Sequence, residues 1–332
     1  MNYNRLGATG LLVSPICLGT MTFGTPVEEA DAIRMVHGAM DLGINYIDTA
    51  NVYEGYTRFF GSAGGVGEEI LGKALAGRRD EVIVTTKFGA PIGPGPQERG
   101  ASARHVMQAV NDSLQRLQMD YIDVCLIHWP DKETPLETTL NAMETLVRQG
   151  KVRYFGASNH SAAQLCEMLW IAERRHLPRP VVSQIPYSML KRMFHHDLSF
   201  CVDHDIAVTP YQSIQGGLLT GKYHRDEALP AASRASEMPQ WLAGEELNDA
   251  MFDRLEALET LAQQANLSMT EYTVAWTLAQ PAITSLVLGA TRLDQIEQIV
   301  AGVSAEIPAD HFAQVDELFP EPWQQMDIIR GM

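Results

Sequence analysis

The chain is short of positive charge: 25 Lys+Arg stand against 41 Asp+Glu, a formal charge of -16. A surface of that sign repels nucleic acid and anionic lipid unless a local basic patch overrides it, so no nucleic-acid partner and no membrane partner is expected. Cysteine is scarce too. Cys17, Cys125, Cys166 and Cys201 are widely spaced with no C-x-x-C pair, which removes the common zinc and redox spacings. They read as buried thiols of a cytoplasmic protein. No run of 18 or more apolar residues occurs, and the opening MNYNRLGATGLLVSP has no basic patch leading into an apolar segment. The expectation is a soluble, unprocessed chain with no partner-binding extension before residue 1. Ser/Gly linkers, like-charge blocks and internal repeats are also missing, so residues 1–332 read as a single domain.

Short apolar runs alternate with longer amphipathic stretches. The runs near 16–19, 44–47, 81–86, 122–127, 152–156, 181–185, 206–209 and 285–288 make eight strands. Helical patterns fall near 28–42, 66–76, 102–117, 136–149, 161–175, 195–203, 269–279 and 292–301. Parallel strands need helical crossovers, and eight such units predict an α/β fold closed into a (β/α)8 barrel. Residues 2–13, about Gly7-Ala8-Thr9-Gly10, read as an N-terminal β-hairpin plugging the barrel bottom. Further C-terminal helices are expected over 248–265 and 308–318. The long loops 50–65, 88–101 and 212–247 all follow strands and so belong to the C-terminal face.

The second strand ends NYIDTA at Asp48, the third VIVTTK at Lys87, and the fourth DVCLIHW at His128. Their spacing is about one strand-helix unit each, which sets the three side by side on the barrel rim, with Tyr53 in the loop beside them. Singly, each has a plain structural reading as a solvated lysine, a capping aspartate, a hydrogen-bonded histidine and a packed tyrosine. Together they would bury charge at a cost of several kcal/mol, by rough estimate, unless the charges pair or work. An ammonium beside a phenol lowers its ordinary pKa of about 10. Asp48 would hold Lys87, and His128 would orient a carbonyl oxygen or relay the proton. Such a site donates a proton to a carbonyl oxygen. It has no metal spacing and no second carboxylate for glycoside work, so the electron pair points to a hydride cofactor.

The runs GINYIDTANVY, VIVTTKFG, IHWPD, GKVRYFGASNHS and GGLLTGKY, in that order from about Leu6 to about Val300, resemble the aldo-keto reductase superfamily. The branch is similar to the potassium-channel beta subunits. The resemblance implies a (β/α)8 barrel and a tetrad in which Tyr53 is the general acid/base and Asp48, Lys87 and His128 are its partners. It also implies NADP, with NAD as the alternative, and a small-molecule carbonyl or alcohol substrate; an oligomer is compatible with it.

No G-x-G-x-x-G register fits this chain; the glycine-rich GSAGGVGEE (61–69) follows a long loop and reads as a flexible connection. By resemblance the nicotinamide lies at the other half of the barrel. Ser158, Asn159 and Gln184 would bond its carboxamide, Tyr211 would stack on its ring, and Gly19, Thr20, Met21 and Asp48 would border it. The loop with Gln212, Ser213, Ile214, Gly216 and Lys222 would wrap the pyrophosphate through its amides. Arg234 and the start of the last barrel helix, with Gly289, Thr291, Gln295 and Gln298, would surround the adenosine phosphate. Arg234, Arg292 and Lys222 are cations suited to a 2'-phosphate. The chain departs from the family pattern at Gln298-Ile299, where many relatives carry Glu-Asn, and at Gln212-Ser213, where Ser-Pro is common. Phe23, Phe88 and Trp129 are expected near the mouth and Phe59, Phe60 and Arg58 in the loop beyond Tyr53. That set would form an aromatic substrate pocket in which Arg58 meets an anionic group.

The leading reading is an NADP-dependent reductase or dehydrogenase interconverting carbonyl and alcohol. A regulatory subunit that binds nicotinamide nucleotide with little turnover is the second. A lyase forming a Schiff base on Lys87 is the third.

Overall fold

The computed structural model describes residues 1–59, 61–231, 233–238 and 247–320. Phe60 and parts of the 212–247 loop, both named above, and residues 321–332 lie outside the described residues. A hairpin of β1 (Asn4–Arg5) and β2 (Leu12–Val13) comes first. Eight parallel strands follow: β3 (Ile16–Gly19), β4 (Tyr46–Asp48), β5 (Ile83–Phe88), β6 (Ile122–Ile127), β7 (Val152–Ser158), β8 (Val182–Gln184), β9 (Ala207–Val208) and β10 (Leu286–Gly289). They pair in the order β10-β3-β4-β5-β6-β7-β8-β9. Single bridges complete the ring, with Thr284 N–H donating to Val208 O at 2.9 Å and Val287 N–H to Pro210 O at 2.8 Å. The fold is the expected (β/α)8 barrel.

The helices in chain order are α1 (Glu29–Asp41), α2 (Val66–Ala74), α3 (Ala103–Leu117), α4 (Leu136–Arg148), α5 (Ala162–Arg175), α6 (Asp197–Asp203), α7 (Arg234–Glu237), α8 (Asp249–Gln264), α9 (Met269–Leu278), α10 (Leu293–Ala301) and α11 (Ala309–Leu318). Strands and amphipathic helices fall within about two residues of the spans predicted from periodicity. Several of their starts carry side-chain caps. Ser161 and Ser268 form capping boxes with Gln164 and Glu271, and Ser102 and Asn248 accept from the first turns of α3 and α8. Each such cap is worth about 1 kcal/mol. Among the described residues no helix is long and apolar enough to cross a membrane.

Side-chain alternation along the strands splits the core in two. One set points into the barrel: Cys17, Tyr46, Ile83, Val124, Leu126, Val182 and Val287 pack there with Leu6 and Val13 of the hairpin, which plugs the bottom as expected. The other points outward to the helices, including Ile16, Leu18, Ile47, Val84, Phe88, Ile127 and Phe155. Two expectations are corrected. Lys87 turns inward, so its neighbour Phe88 turns outward and is only 1 % exposed in the helix-facing core. Phe23 is likewise wholly buried there, and neither ring offers surface to a substrate. Of the four thiols, Cys17, Cys125 and Cys201 are buried but Cys166, on the outer side of α5, is exposed. Burial pushes the Cys201 thiol up to about 12 and Cys17 and Cys125 well above the ordinary value.

Candidate active site

β4 stops at Asp48, β5 carries Lys87 one residue before its end, and His128 directly follows β6, so neighbouring strand ends bring the three to one rim. Asp48 and Lys87 are each 1 % exposed. Lys87 Nζ donates to Asp48 Oδ1 at 2.5 Å, to the Thr49 carbonyl at 2.9 Å and to the Tyr53 hydroxyl oxygen at 3.1 Å. Each ammonium proton thus has an acceptor, the condition for keeping a lysine charged without water. Burial alone would push Lys87 down; the Asp48 carboxylate and the Tyr53 phenol outweigh it and hold the lysine above its ordinary value.

Tyr53 reverses the expected direction. Burial raises its pKa, the Lys87 ammonium draws it down, and Asp48 raises it again, leaving it above the ordinary phenol value. A carboxylate in contact with the ammonium offsets much of the positive field that would have stabilised a phenolate. The phenol is therefore held protonated at neutral pH. His128 meets Tyr53 edge-on, with ring centroids 6.2 Å apart, and stacks on half-exposed Trp129 at 5.8 Å. Burial, Lys87 and Arg58 hold it well below the usual imidazole value, so it is neutral. Its Nδ1 is buried with no hydrogen-bond partner among the described residues.

The residues expected at the nicotinamide join the same network. Gln184 Nε2 donates to Asp48 Oδ2 at 2.8 Å, and Ser158 Oγ donates to the Gln184 carbonyl at 2.9 Å. Asn159, in the left-handed conformation that asparagine tolerates, donates from Nδ2 to the His128 carbonyl at 2.9 Å and to Ser158 Oγ at 3.1 Å. Tyr211 OH donates to Asn159 Oδ1 at 2.6 Å. At the end of β3, Gly19 and Thr20 are buried and Met21 half-buried. The Thr20 amide donates to the Asp48 carbonyl, while Thr20 Oγ1 is buried without a partner among the described residues.

Beyond Tyr211 the chain bends through Gln212, Ser213 and Ile214 into a turn where Gly216 and Gly217 have φ of 63° and 99°. Lys222 Nζ folds over Gly217, 2.4 Å from where a Cβ would stand, and the φ of 99° there is one that a side chain would strain. The Ser213 hydroxyl is buried and unpartnered among the described residues. Partial burial, then the charges of Arg234 and Arg292, pushes the Lys222 ammonium below its ordinary value. Lys222, Arg234 and Arg292 thus act on one another electrostatically, an arrangement suited to a polyanion. Arg234 reaches the Tyr56 hydroxyl at 3.2 Å, and Arg292 is an exposed residue held by Asp294 at 3.0 and 3.1 Å. At α10, Gly289 and Gln298 are exposed, and the Thr291 amide is met by Gln295 Oε1 at 2.8 Å. These groups fit the phosphates of a dinucleotide.

Around Tyr53 the sequence reading missed the frame. The glycine-rich 61–69 segment is a close approach: the Gly67 amide donates to the Tyr53 carbonyl at 2.9 Å, and a Cβ there would stand 3.2 Å from Tyr53 Cβ. Glycines crowded before a helix were the available signal. Arg58, expected to meet an anionic substrate, instead gives its donors to Val52 O, Ser62 Oγ and Pro91 O. Phe59 is exposed.

The chain belongs to the aldo/keto reductase family, which it matches over residues 15–319. It is similar to a "Probable voltage-gated potassium channel subunit beta" of Arabidopsis thaliana, 34% identical over 310 residues and 91% of each chain. It is 32% identical to the "Uncharacterized oxidoreductase YrpG" of Bacillus subtilis over 330 residues and 97% of each chain. "Protein tas" of Escherichia coli is 31% identical over 342 residues, 95% of this chain and 97% of its own. The family and the oxidoreductase among these relatives support an oxidoreductase.

Proposed function

We propose that the protein is an NADP-dependent oxidoreductase interconverting an aldehyde or ketone and its alcohol, with Tyr53 as general acid/base. The observation that carries this reading is the buried chain Asp48–Lys87–Tyr53, in which a fully paired ammonium lies 3.1 Å from a protonated phenol. NADPH, when bound, would supply the hydride for the carbonyl carbon. Tyr53 donates its proton to the carbonyl oxygen, and Lys87 stabilises the phenolate left behind. Asp48 keeps Lys87 charged and placed. His128, neutral, hydrogen-bonds the same oxygen and orients it. Ser158, Asn159 and Gln184 would hold the carboxamide, Tyr211 would cover the ring, and Lys222, Arg234 and Arg292 would take the 2'-phosphate.

Tyr53→Phe is the test. Carbonyl reduction, followed by nicotinamide absorbance across aldehydes, ketones and sugars, should fall by about 10²-fold or more while NADPH still binds. Retained turnover rejects the assignment. The name of the plant relative favours a second reading, a nucleotide-binding regulatory subunit. Tight NADPH binding by the wild type with no oxidation across the panel would support it.

A further inference from the structure

The catalytic reading leaves unused a strongly held, nearly buried cation close to Tyr53. Arg58 lies five residues past Tyr53, and its side chain is 19 % exposed. Nη1 donates to the Val52 carbonyl at 2.9 Å and to Ser62 Oγ at 3.1 Å, and Nη2 donates to the Pro91 carbonyl at 2.7 Å. Glu54 lies 3.8 Å from the guanidinium. Its carboxylate accepts from Ser62 Oγ and, at 3.2 Å, from the Gly64 amide.

The acceptors define what the arginine joins. Val52 O belongs to the peptide unit that leads into Tyr53, while the carbonyl on the far side of Tyr53 is held by the Gly67 amide. Pro91 lies in the loop leaving β5, the strand that carries Lys87. One planar fork therefore ties the backbone of Tyr53 to the strand-end loop of the lysine it must face. We propose that Arg58 is a positioning residue that fixes the Tyr53 hydroxyl against Lys87 by clamping the Val52 and Pro91 carbonyls together, and is not a receptor for an anionic substrate. This rests on the functional reading given above. Three acceptors shared between Nη1 and Nη2 suit the fork of a guanidinium and not an ammonium, so lysine would keep the charge and lose the clamp.

Arg58→Lys and Arg58→Met separate the two properties. A tyrosine misplaced by about 1 Å costs on the order of 10²-fold in turnover, so kcat should fall about 10- to 100-fold in both variants. NADPH affinity should stay within about twofold, because the clamp touches no group assigned to the cofactor. The pH profile adds a readout that a merely structural role would not move. His128 faces three groups that matter here, Lys87, Arg58 and Tyr53, and Arg58 is one of the two cations that lower it. Arg58→Met should therefore shift the acid limb of turnover to higher pH, and Arg58→Lys should leave that limb in place.

An unchanged kcat in both variants overturns the inference. So does a raised KM for carboxylated carbonyls alone, which would return Arg58 to substrate binding. Parallel loss of kcat and NADPH affinity also overturns it, by making Arg58 a support of the whole fold. A wild type that oxidises no NADPH rejects the functional reading itself; an active wild type with undiminished variants rejects only the role of Arg58.

Discussion

Gln184 Nε2 donates to the one Asp48 oxygen that Lys87 leaves, at 2.8 Å, while Lys87 takes the other at 2.5 Å. A single buried carboxylate thus joins the strand ends on one side of the mouth to those on the other. β4 and β8 are not neighbours in the sheet, so the contact crosses the barrel opening.

Replacing Gln184 with leucine keeps the side chain's bulk and strips the donor. Asp48 Oδ2 would then be a buried carboxylate oxygen without its bond, at a cost of about 1–3 kcal/mol or more because the acceptor is charged. Urea denaturation should show that loss as a lower midpoint with an unchanged slope. If the midpoint stays put, the bond across the opening contributes nothing to the fold.

Acid should weaken the protein before any carboxylate titrates. Burial, Lys87 and Arg58 hold His128 well below its unfolded value, and burial does the same to His105 and His160. A group with a depressed folded pKa gives stability that is complete above its unfolded pKa and lost as pH falls toward the folded one. For histidine that loss begins near about pH 6.5. The stability of the wild type measured by urea should decline from about pH 7.5 to about pH 5.5, and His128→Asn should decline less, by roughly 1 kcal/mol over that window. Equal slopes would mean that His128 is not held neutral in the folded state.

The barrel was legible because its signals are local and repeated. Apolar runs of strand length alternate with amphipathic helices, and the starts of two of those helices are marked by the capping boxes of Ser161 and Ser268. Asp48, Lys87 and His128 were legible for the same reason, since each occupies a strand end and the strand order brings those ends together. The frame of Tyr53 was not, because it is built by carbonyls: Val52, Thr49 and Pro91 act through backbone oxygens, which any residue supplies. The direction of the Tyr53 shift was also hidden. It depends on whether burial outweighs one ammonium whose field a carboxylate already answers, a balance of distances that composition does not contain.

Two aromatic residues expected at the mouth should separate cleanly under mutation. Phe88 is buried in the helix-facing core, so Phe88→Ala should cost about 3–5 kcal/mol, with KM for carbonyl substrates unchanged in whatever fraction folds. Trp129 is half-exposed and stacks on His128, so Trp129→Ala should leave stability within about 1 kcal/mol and raise KM for substrates with a ring. Thermal denaturation beside steady-state kinetics checks both. A KM effect from Phe88→Ala without destabilisation would mean that its ring does reach the substrate.

Cofactor preference should rest most heavily on Lys222. Arg292 already has a bidentate partner in Asp294, and Arg234 leans on the Tyr56 ring and hydroxyl. Lys222 instead lies in the field of both arginines, which together with its partial burial depresses it, so an arriving 2'-phosphate relieves a repulsion as well as forming a contact. Lys222→Met should therefore weaken NADPH by about tenfold or more, near the 1.4 kcal/mol of one charge-assisted bond, and leave NADH nearly unchanged. Arg292→Ala should weaken NADPH less, because its guanidinium must first be drawn from Asp294. Quenching of protein fluorescence by each nucleotide, titrated at two salt concentrations, measures both effects. Equal losses of NADPH and NADH in Lys222→Met would place the lysine at the pyrophosphate that the two cofactors share, and would leave the choice between them to Arg234.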